Sequence, residues 1–370
     1  MTSEAPRGRA WTRRAFVFAL PLSGLTAQSG KGRVLPPERA RYSDPSTEFP
    51  VVRLTGADHA SYLPAWYGRA VSRKNAFLLY WSDRDGSPQA FRMDLRTGES
   101  EQLTQAAALD GSSITLSRDD RSFYYFDGPS LRQVNLRSLR EKEAYRVPGG
   151  WERGRGFSLS FDNSRAVLIE VQRGNSRLRL IRPGKRSAQT VLEGPAEMSD
   201  PLPRARGDVI LYRQGTAGVW LVRYDGRQNR PLPLAPGGIG PAFWSPDGKT
   251  ILYLSFPEDK TKLNVIREFN PETNTDTLIS PTSQFAQFAA NGDASVFVGA
   301  SRNKASPHVL LILRETRREL TLCEHRASDP ARVAPIFSPD SQWVYFQSDR
   351  DGRPAIYGLA VDKFVERTEA

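Results

Sequence analysis

Apolar residues along this chain come in short runs separated by turn-forming residues, rather than in the longer, three-to-four-spaced stripes of helices. The clearest stretch, AFLLYWSDRDGSPQAFRMDLRTGESEQLT (Ala76–Thr104), alternates continuous or period-two apolar runs with turns at Asp83–Gly86 and at Arg96-Thr97-Gly98. A looser phrase, an Asp, Asn or Gly turn followed by a β-branched or aromatic run, returns along the chain. It reads SRDDRSFYYF (Ser117–Phe126), SFDNSRAVLIE (Ser160–Glu170), RARGDVILYR (Arg204–Arg213), WSPDGKTILYLS (Trp244–Ser255), AANGDASVFVGA (Ala289–Ala300) and FSPDSQWVYFQS (Phe337–Ser348). A worn first copy, SRKNAFLLYWS (Ser72–Ser82), makes seven units. The pentapeptide Ser-Asp-Arg-Asp-Gly stands at Ser82–Gly86 and again at Ser348–Gly352, an interval that six steps of about 44 residues span.

Four short strands per unit, repeated in this way, predict an all-β fold: a seven-bladed β-propeller of four-stranded antiparallel blades, with six or eight blades as alternatives. The blades are expected to start near residues 72, 112, 154, 196, 238, 284 and 331. Phe49–Thr55 (FPVVRLT) is a spare strand ahead of the first blade, able to join the last blade and close the ring.

The N-terminus departs from this pattern. Arg13 and Arg14 precede an apolar run from Ala15 to about Ala27, a charged region and a hydrophobic region of signal-peptide length, too short to span a membrane. Thr-Arg-Arg-Ala-Phe resembles the twin-arginine export motif. The expected organisation is therefore a signal over residues 1–29, a linker over 30–46 carrying Pro36 and Pro37, and the propeller over 47–370, in the periplasm or secreted. Cys323 is the only cysteine, so no disulfide forms within the chain.

The formal net charge of +11 is spread out, without a basic block or zinc spacing. It favours anionic ligands over any specific nucleic-acid interface. No nucleophile elbow, phosphate loop or zinc-binding helix motif is present. The Asp-Arg-Asp-Gly turns bring only two carboxylates each, which suits a blade turn better than a cation site.

The repeats SPDGKTILYLS and SPDSQWVYFQSDRDGRPAIY resemble those of TolB-type propellers. The opening segment FPVVRLTGADHASYLPAWY, the middle segment AFWSPDGKTILYLSF and the closing segment LCEHRASDPARVAPIFSPDSQWVYFQSDRDGRPAIY are more similar still to the oligogalacturonate lyases, over roughly residues 49–361. That resemblance implies β-elimination on pectin oligomers, in which a histidine base removes the proton beside a uronate carboxylate. A divalent metal, manganese, held by histidines and a glutamine, neutralises the charge that develops.

Carried over residue by residue, that equipment is missing. The histidine of the family's His-Glu-Phe-Trp falls on Pro241, with the aromatic pair kept at Phe243 and Trp244. The two histidines of its His-Pro-His-Pro fall on Arg332 and Ala334, the glutamine on Asp329, and the base on or near Arg213. His59, His308 and His325, the only histidines, read as surface or hydrogen-bonded residues. The expectation is thus a propeller without the usual metal and without an assignable catalytic residue. Manganese enters only if the family site survives in altered form. Arg213, Arg332, Asp329 and Trp244 are the candidate contacts to an anionic oligosaccharide or other carboxylate, because guanidinium forks pair bidentately with carboxylates. The rival readings are an active lyase with non-standard residues and a TolB-like module with a periplasmic protein partner. A monomer without a stable membrane span is expected in each case.

Overall fold

The computed structural model describes residues 30–185, 187–215, 218–259 and 261–369; the expected export signal, residues 1–29, lies outside them. Seven antiparallel sheets follow one another along the chain. The innermost strands are Ser61–Tyr62, Leu109–Leu116, Glu152–Leu159, Met198–Pro203, Gly238–Trp244, Phe285–Ala290 and Ile336–Phe337, which define blades 1 to 7. Blades 2 to 6 each hold four consecutive strands, as the alternation predicts. Seven buried apolar clusters lie between them, one at each blade-to-blade contact, including one that joins blade 7 to blade 1. The ring is therefore closed by packing as well as by strand pairing.

Blade 7 takes its fourth strand from the N-terminal side: Pro50–Arg53 pairs with Ala355–Ala360. The spare strand closes the ring as its sequence suggested. The stretch expected to be a linker, residues 30–46, differs from that expectation. Val34–Leu35 pairs with Ser100–Gln102 at the outer edge of blade 1, and Ala40–Ser43 pairs with Pro50–Arg53 at the outer edge of blade 7. The reason is an available edge: each of these blades otherwise exposes unpaired backbone groups, and a short extended segment between prolines satisfies both.

The two Ser-Asp-Arg-Asp-Gly turns hold this segment in place. Arg84, whose side chain is 4% exposed, forms an ion pair with Glu38 at 3.0 Å and lies over the rings of Tyr80 and Phe91. Arg350 donates to the Tyr42 hydroxyl at 2.6 Å and lies over that ring. The four carboxylates of the two turns are likewise committed. Asp83 accepts from the Ala60 N–H, Asp85 from Gln102, Asp349 from the Ser328 N–H and Asp351 from Arg53.

Elsewhere the repeat phrase is a Ser-x-Asp turn. The Ser117, Ser160, Ser245 and Ser338 hydroxyls donate to Asp119, Asp162, Asp247 and Asp340 at 2.6–2.7 Å, and each accepts from the backbone N–H five residues on. At Asp162 the Ser160 hydroxyl pulls the carboxyl pKa down to about 2. These aspartates serve turn geometry.

The inner strands depart from regular pairing at one common level. In blades 2 to 6 each pairs with its neighbour near its start, leaves one to four residues out of the ladder, and pairs again. The bulges comprise Gly111–Ile114, Gly154–Gly156, Asp200–Pro201, Gly240–Pro241 and Ala286 in blades 2 to 6. In blade 1 the same interruption grows into Leu63–Ala70, between the Tyr62–Trp81 pair and the Val71–Leu78 bridge. This insertion explains why blade 1 begins at Ser61 rather than near residue 72.

Candidate functional site

All seven inner strands run the same way along the axis, so their starts share one face, and the bulges lie just inside it. Bulges re-aim side chains and release backbone groups from the ladder. They also admit Pro201 and Pro241, which a regular central strand would exclude.

The blade 1 insertion fills the axis. Trp66 and Tyr67 pack against the cluster shared by blades 4 and 5, across the ring from their own blade. Trp66 meets Tyr67 edge-on at 5.1 Å and Phe243 at 5.6 Å. The crossing depends on Gly68, where an added Cβ would stand 2.7 Å from the Ile114 carbonyl oxygen. The loop thus divides the channel into a charged chamber at the entry face and an apolar one at the far face.

On the entry side the Tyr67 phenol is ringed by charge. Arg155 binds Asp200 in a fork, Nε at 3.0 Å and Nη2 at 2.5 Å, and Arg153 pairs with Asp110. Arg213 completes the group. Its Nη atoms donate to the Ile239 and Gly240 carbonyls, freed by the blade 5 bulge, and its Nε lies 3.6 Å from Asp200. Burial raises the Tyr67 pKa, and Asp200 and Asp110 add to the rise, so the phenol stays protonated. Burial pushes the Arg213 pKa down while Asp200 opposes the shift. The Arg155 side chain is 73% exposed while Asp200 is 7% exposed, so this guanidinium is anchored on one side and open on the other. Three guanidiniums and two carboxylates meet here, with Glu197 close enough to Arg155 to act on it electrostatically.

The four candidate contacts fall in three places. Arg213 lies in the chamber, beside the bulge that holds Pro241. Asp329 and Arg332 sit at the entry-face rim around the short 3-10 turn Pro330–Arg332, in a pocket of about 190 Å³ with Tyr62, Gln347 and Asp349. Trp244 lies at the far end of its strand, donating to the Leu202 carbonyl at 3.1 Å. With Trp66, Phe243 and Phe288 it lines a separate cavity of about 330 Å³.

Sequence reasoning missed Tyr67, Asp110, Arg153, Arg155 and Asp200. A signal was present in Gly154-Arg155-Gly156 and Asp200-Pro201, since glycine or proline inside an apparent central strand marks a bulge.

The fold agrees with that of proteins similar to this chain. The family model described as oligogalacturonate lyase matches residues 29–180. The oligogalacturonide lyase of Pectobacterium atrosepticum is 26% identical, over 88% of this chain and 97% of that protein. The oligogalacturonate lyase of Dickeya dadantii is 25% identical over the same shares. A solved oligogalacturonate lyase in complex with manganese superposes with a TM-score of 0.85 at 24% identity, covering 90% of this chain and 98% of that one. The chain is a seven-bladed propeller similar to the oligogalacturonate lyases over most of its length.

The donor set at the family's expected ligand positions does not suit manganese. The Pro241 and Ala334 side chains carry no donor atom, Arg332 is a cation, and the Asp329 carboxylate accepts from the Ala331 N–H at 3.0 Å. Hard divalent cations need several oxygen or imidazole donors converging on one point. Among the described residues no three His, Cys, Asp or Glu side chains gather in that way. Of the histidines, His59 is an exposed loop residue and His308 sits at the start of a blade 6 strand. His325 is fully buried, its Nε2 2.8 Å from the Ser301 carbonyl and its Nδ1 3.0 Å from the Ala327 N–H, so neither ring nitrogen is free.

Proposed function

We propose that this oligogalacturonate-lyase-like propeller is exported and binds an anionic sugar, or a related carboxylate, at the entry-face chamber without the metal-dependent elimination site expected of that family. The carrying observation is the arrangement of Arg153, Arg155 and Arg213 around Asp110, Asp200 and Tyr67. Arg155, fixed by its fork to Asp200 and open to solvent, offers its remaining N–H groups to a carboxylate at little further conformational cost. The protonated Tyr67 hydroxyl supplies a neutral donor beside it. The positive whole-molecule charge steers such ligands toward the protein.

Calorimetric titration with digalacturonate, with and without manganese, together with an ultraviolet assay for unsaturated product, tests the reading. Saturable binding without product is expected, and Arg155→Ala should weaken it by roughly tenfold, the worth of about 1.4 kcal/mol. No binding at millimolar ligand, or product that depends on manganese, overturns it. Export is tested by fusing residues 1–29 to a reporter active only outside the cytoplasm. Activity should be lost when Arg13 and Arg14 are both changed to lysine, and a reporter that stays inactive with the native segment refutes the assignment.

A further inference from the structure

The Trp66–Tyr67 plug has a second side, which forms the inner wall of the far-face cavity of about 330 Å³. Five aromatic residues line that cavity, Trp66, Tyr67, Phe243, Trp244 and Phe288, together with Ser158 of blade 3. No charged side chain is among the described residues that line it. Every one of the five rings except Phe288 is only half-buried. Rings gathered round one opening and left partly wet mark a binding cavity rather than a core.

The wall is formed in advance. Trp66 meets Phe243 at 5.6 Å, and Phe243 meets Phe288 at 5.0 Å. The Trp244 N–H is committed to the Leu202 carbonyl, and the Arg204 guanidinium lies over the Trp244 ring at 5.3 Å. Arg204 is itself held by the Gly248 carbonyl at 2.6 Å and by Glu272 at 3.1 Å. Rings fixed in this way add little ordering cost when a ligand enters.

Ser158 supplies the polar feature. The residue is 6% exposed, and its hydroxyl is covered and has no hydrogen-bond partner among the described residues. Ser160, two residues on, shows the ordinary arrangement: it donates to Asp162 and accepts from the Arg165 N–H. Covered hydroxyls are normally satisfied, so an unpaired one in a cavity wall calls for a partner from outside the protein.

The lining selects among ligands. A carboxylate or an ammonium group would lose its water with no opposite charge to meet it, and a sugar brings more hydroxyls than one serine can satisfy. A planar ring packs edge-on or offset against the aromatic wall. An apolar cavity of about 150 Å³ takes benzene, so this larger one has room for a substituted or fused ring. We infer that the far-face cavity is a binding site for a small uncharged aromatic compound with one hydrogen-bonding group, of the phenol class, held between the plug and Phe243, Trp244 and Phe288 and paired with the Ser158 hydroxyl. This site stands apart from the anion chamber and does not depend on the anionic-sugar reading. Tyr67 is the residue common to both, its ring lining the cavity and its phenol facing Asp200 and Asp110.

Calorimetric titration of para-cresol, toluene, cyclohexanol and benzoate into wild-type, Ser158→Ala and Ala290→Leu proteins tests this. Para-cresol should bind wild type saturably, and about tenfold more tightly than each of the other three, the discrimination worth one hydrogen bond or one well-placed ring. Ser158→Ala should cut para-cresol affinity about tenfold and leave toluene affinity within about threefold, a split that general loosening of the strand would not produce. Ala290→Leu adds bulk to the blade 6 side of the cavity and should weaken para-cresol and toluene alike. No saturable binding of para-cresol at millimolar concentration, cyclohexanol binding as tightly as para-cresol, or unchanged para-cresol affinity in Ser158→Ala overturns the site.

Discussion

The Arg84–Glu38 pair offers the strictest test of how the ring is held shut. If residues 30–46 form the outer strands of blades 1 and 7, then Arg84→Met should destabilise the propeller although Arg84 lies far along the sequence from Glu38. The magnitude follows from its contacts. Arg84 is 4% exposed and Glu38 34%, so the pair is neither fully buried nor freely hydrated. Losing one charge-assisted hydrogen bond costs about 1.5–3 kcal/mol. Losing the placement over Tyr80 and Phe91 costs about 0.5–1 kcal/mol more at a partly shielded site. Methionine keeps the apolar stem, and the exposed part of Glu38 regains water, which together offset some of this. The net expectation is about 2 kcal/mol for Arg84→Met. Glu38→Gln should cost about 1 kcal/mol, since the amide carbonyl of the substituted side chain can still accept from the Gly56 N–H that Glu38 now holds at 2.9 Å. Urea unfolding of both single variants and the double variant closes a thermodynamic cycle. A coupling near 1 kcal/mol, little reduced by salt because the arginine is shielded, is expected. A coupling below about 0.3 kcal/mol would refute the clasp and return residues 30–46 to the status of a tether.

Three further outcomes follow from other parts of the fold. His325 is buried as the neutral imidazole and burial lowers its pKa from 6.5, so the unfolded chain binds more protons than the folded one; stability present above about pH 6.5 is lost as pH falls through that value. Urea midpoints for wild type and His325→Gln should converge between about pH 7.5 and 5.5, and parallel curves would contradict the assignment. Gly68→Ala should destabilise by about 1–3 kcal/mol and change the near-ultraviolet dichroism of Trp66, whereas Gly149→Ala, with open space around its Cβ, should do neither; equal effects would remove the plug argument. Arg213→Met leaves the Ile239 and Gly240 carbonyls of the blade 5 bulge without their donor; a loss of about 2 kcal/mol in urea is expected, and an unchanged midpoint would make Arg213 a ligand contact alone.

The fold was legible because propeller blades are local: each is a meander of neighbouring strands, and turn residues between apolar runs specify a meander directly. Closure was half legible. Phe49–Thr55 reads as a strand from its apolar run, whereas Val34–Leu35 is only two residues long before Pro36 and Pro37, and Ala40–Ser43 is short and largely polar. They are strands only because blades 1 and 7 present edges to them, which is information carried by distant sequence. The site was less legible for the same reason. Its members are single residues from several blades that meet at the axis, and Arg155 meets Asp200 only because two bulges of unequal length bring them level.

Arg213 shows how a residue type can be noticed correctly while its duty is not. Its position suggested a free guanidinium for a ligand, but much of its hydrogen-bonding capacity is spent on bulge carbonyls and the rest faces Asp200. The exposed faces belong to Arg155 and Arg332, one anchored by a carboxylate and one by its backbone. The repeated Ser-Asp-Arg-Asp-Gly turns make the converse point. Their carboxylates invite a cation-site reading, yet every one is occupied within the fold, and the arginine between them is the working residue. Both copies sit in the two blades that the N-terminal segment must bridge. In a closed ring of similar blades the joint is where repeat sequence is pressed into a second task, and a structural motif found only in the first and last blades identifies the joint before any strand is paired.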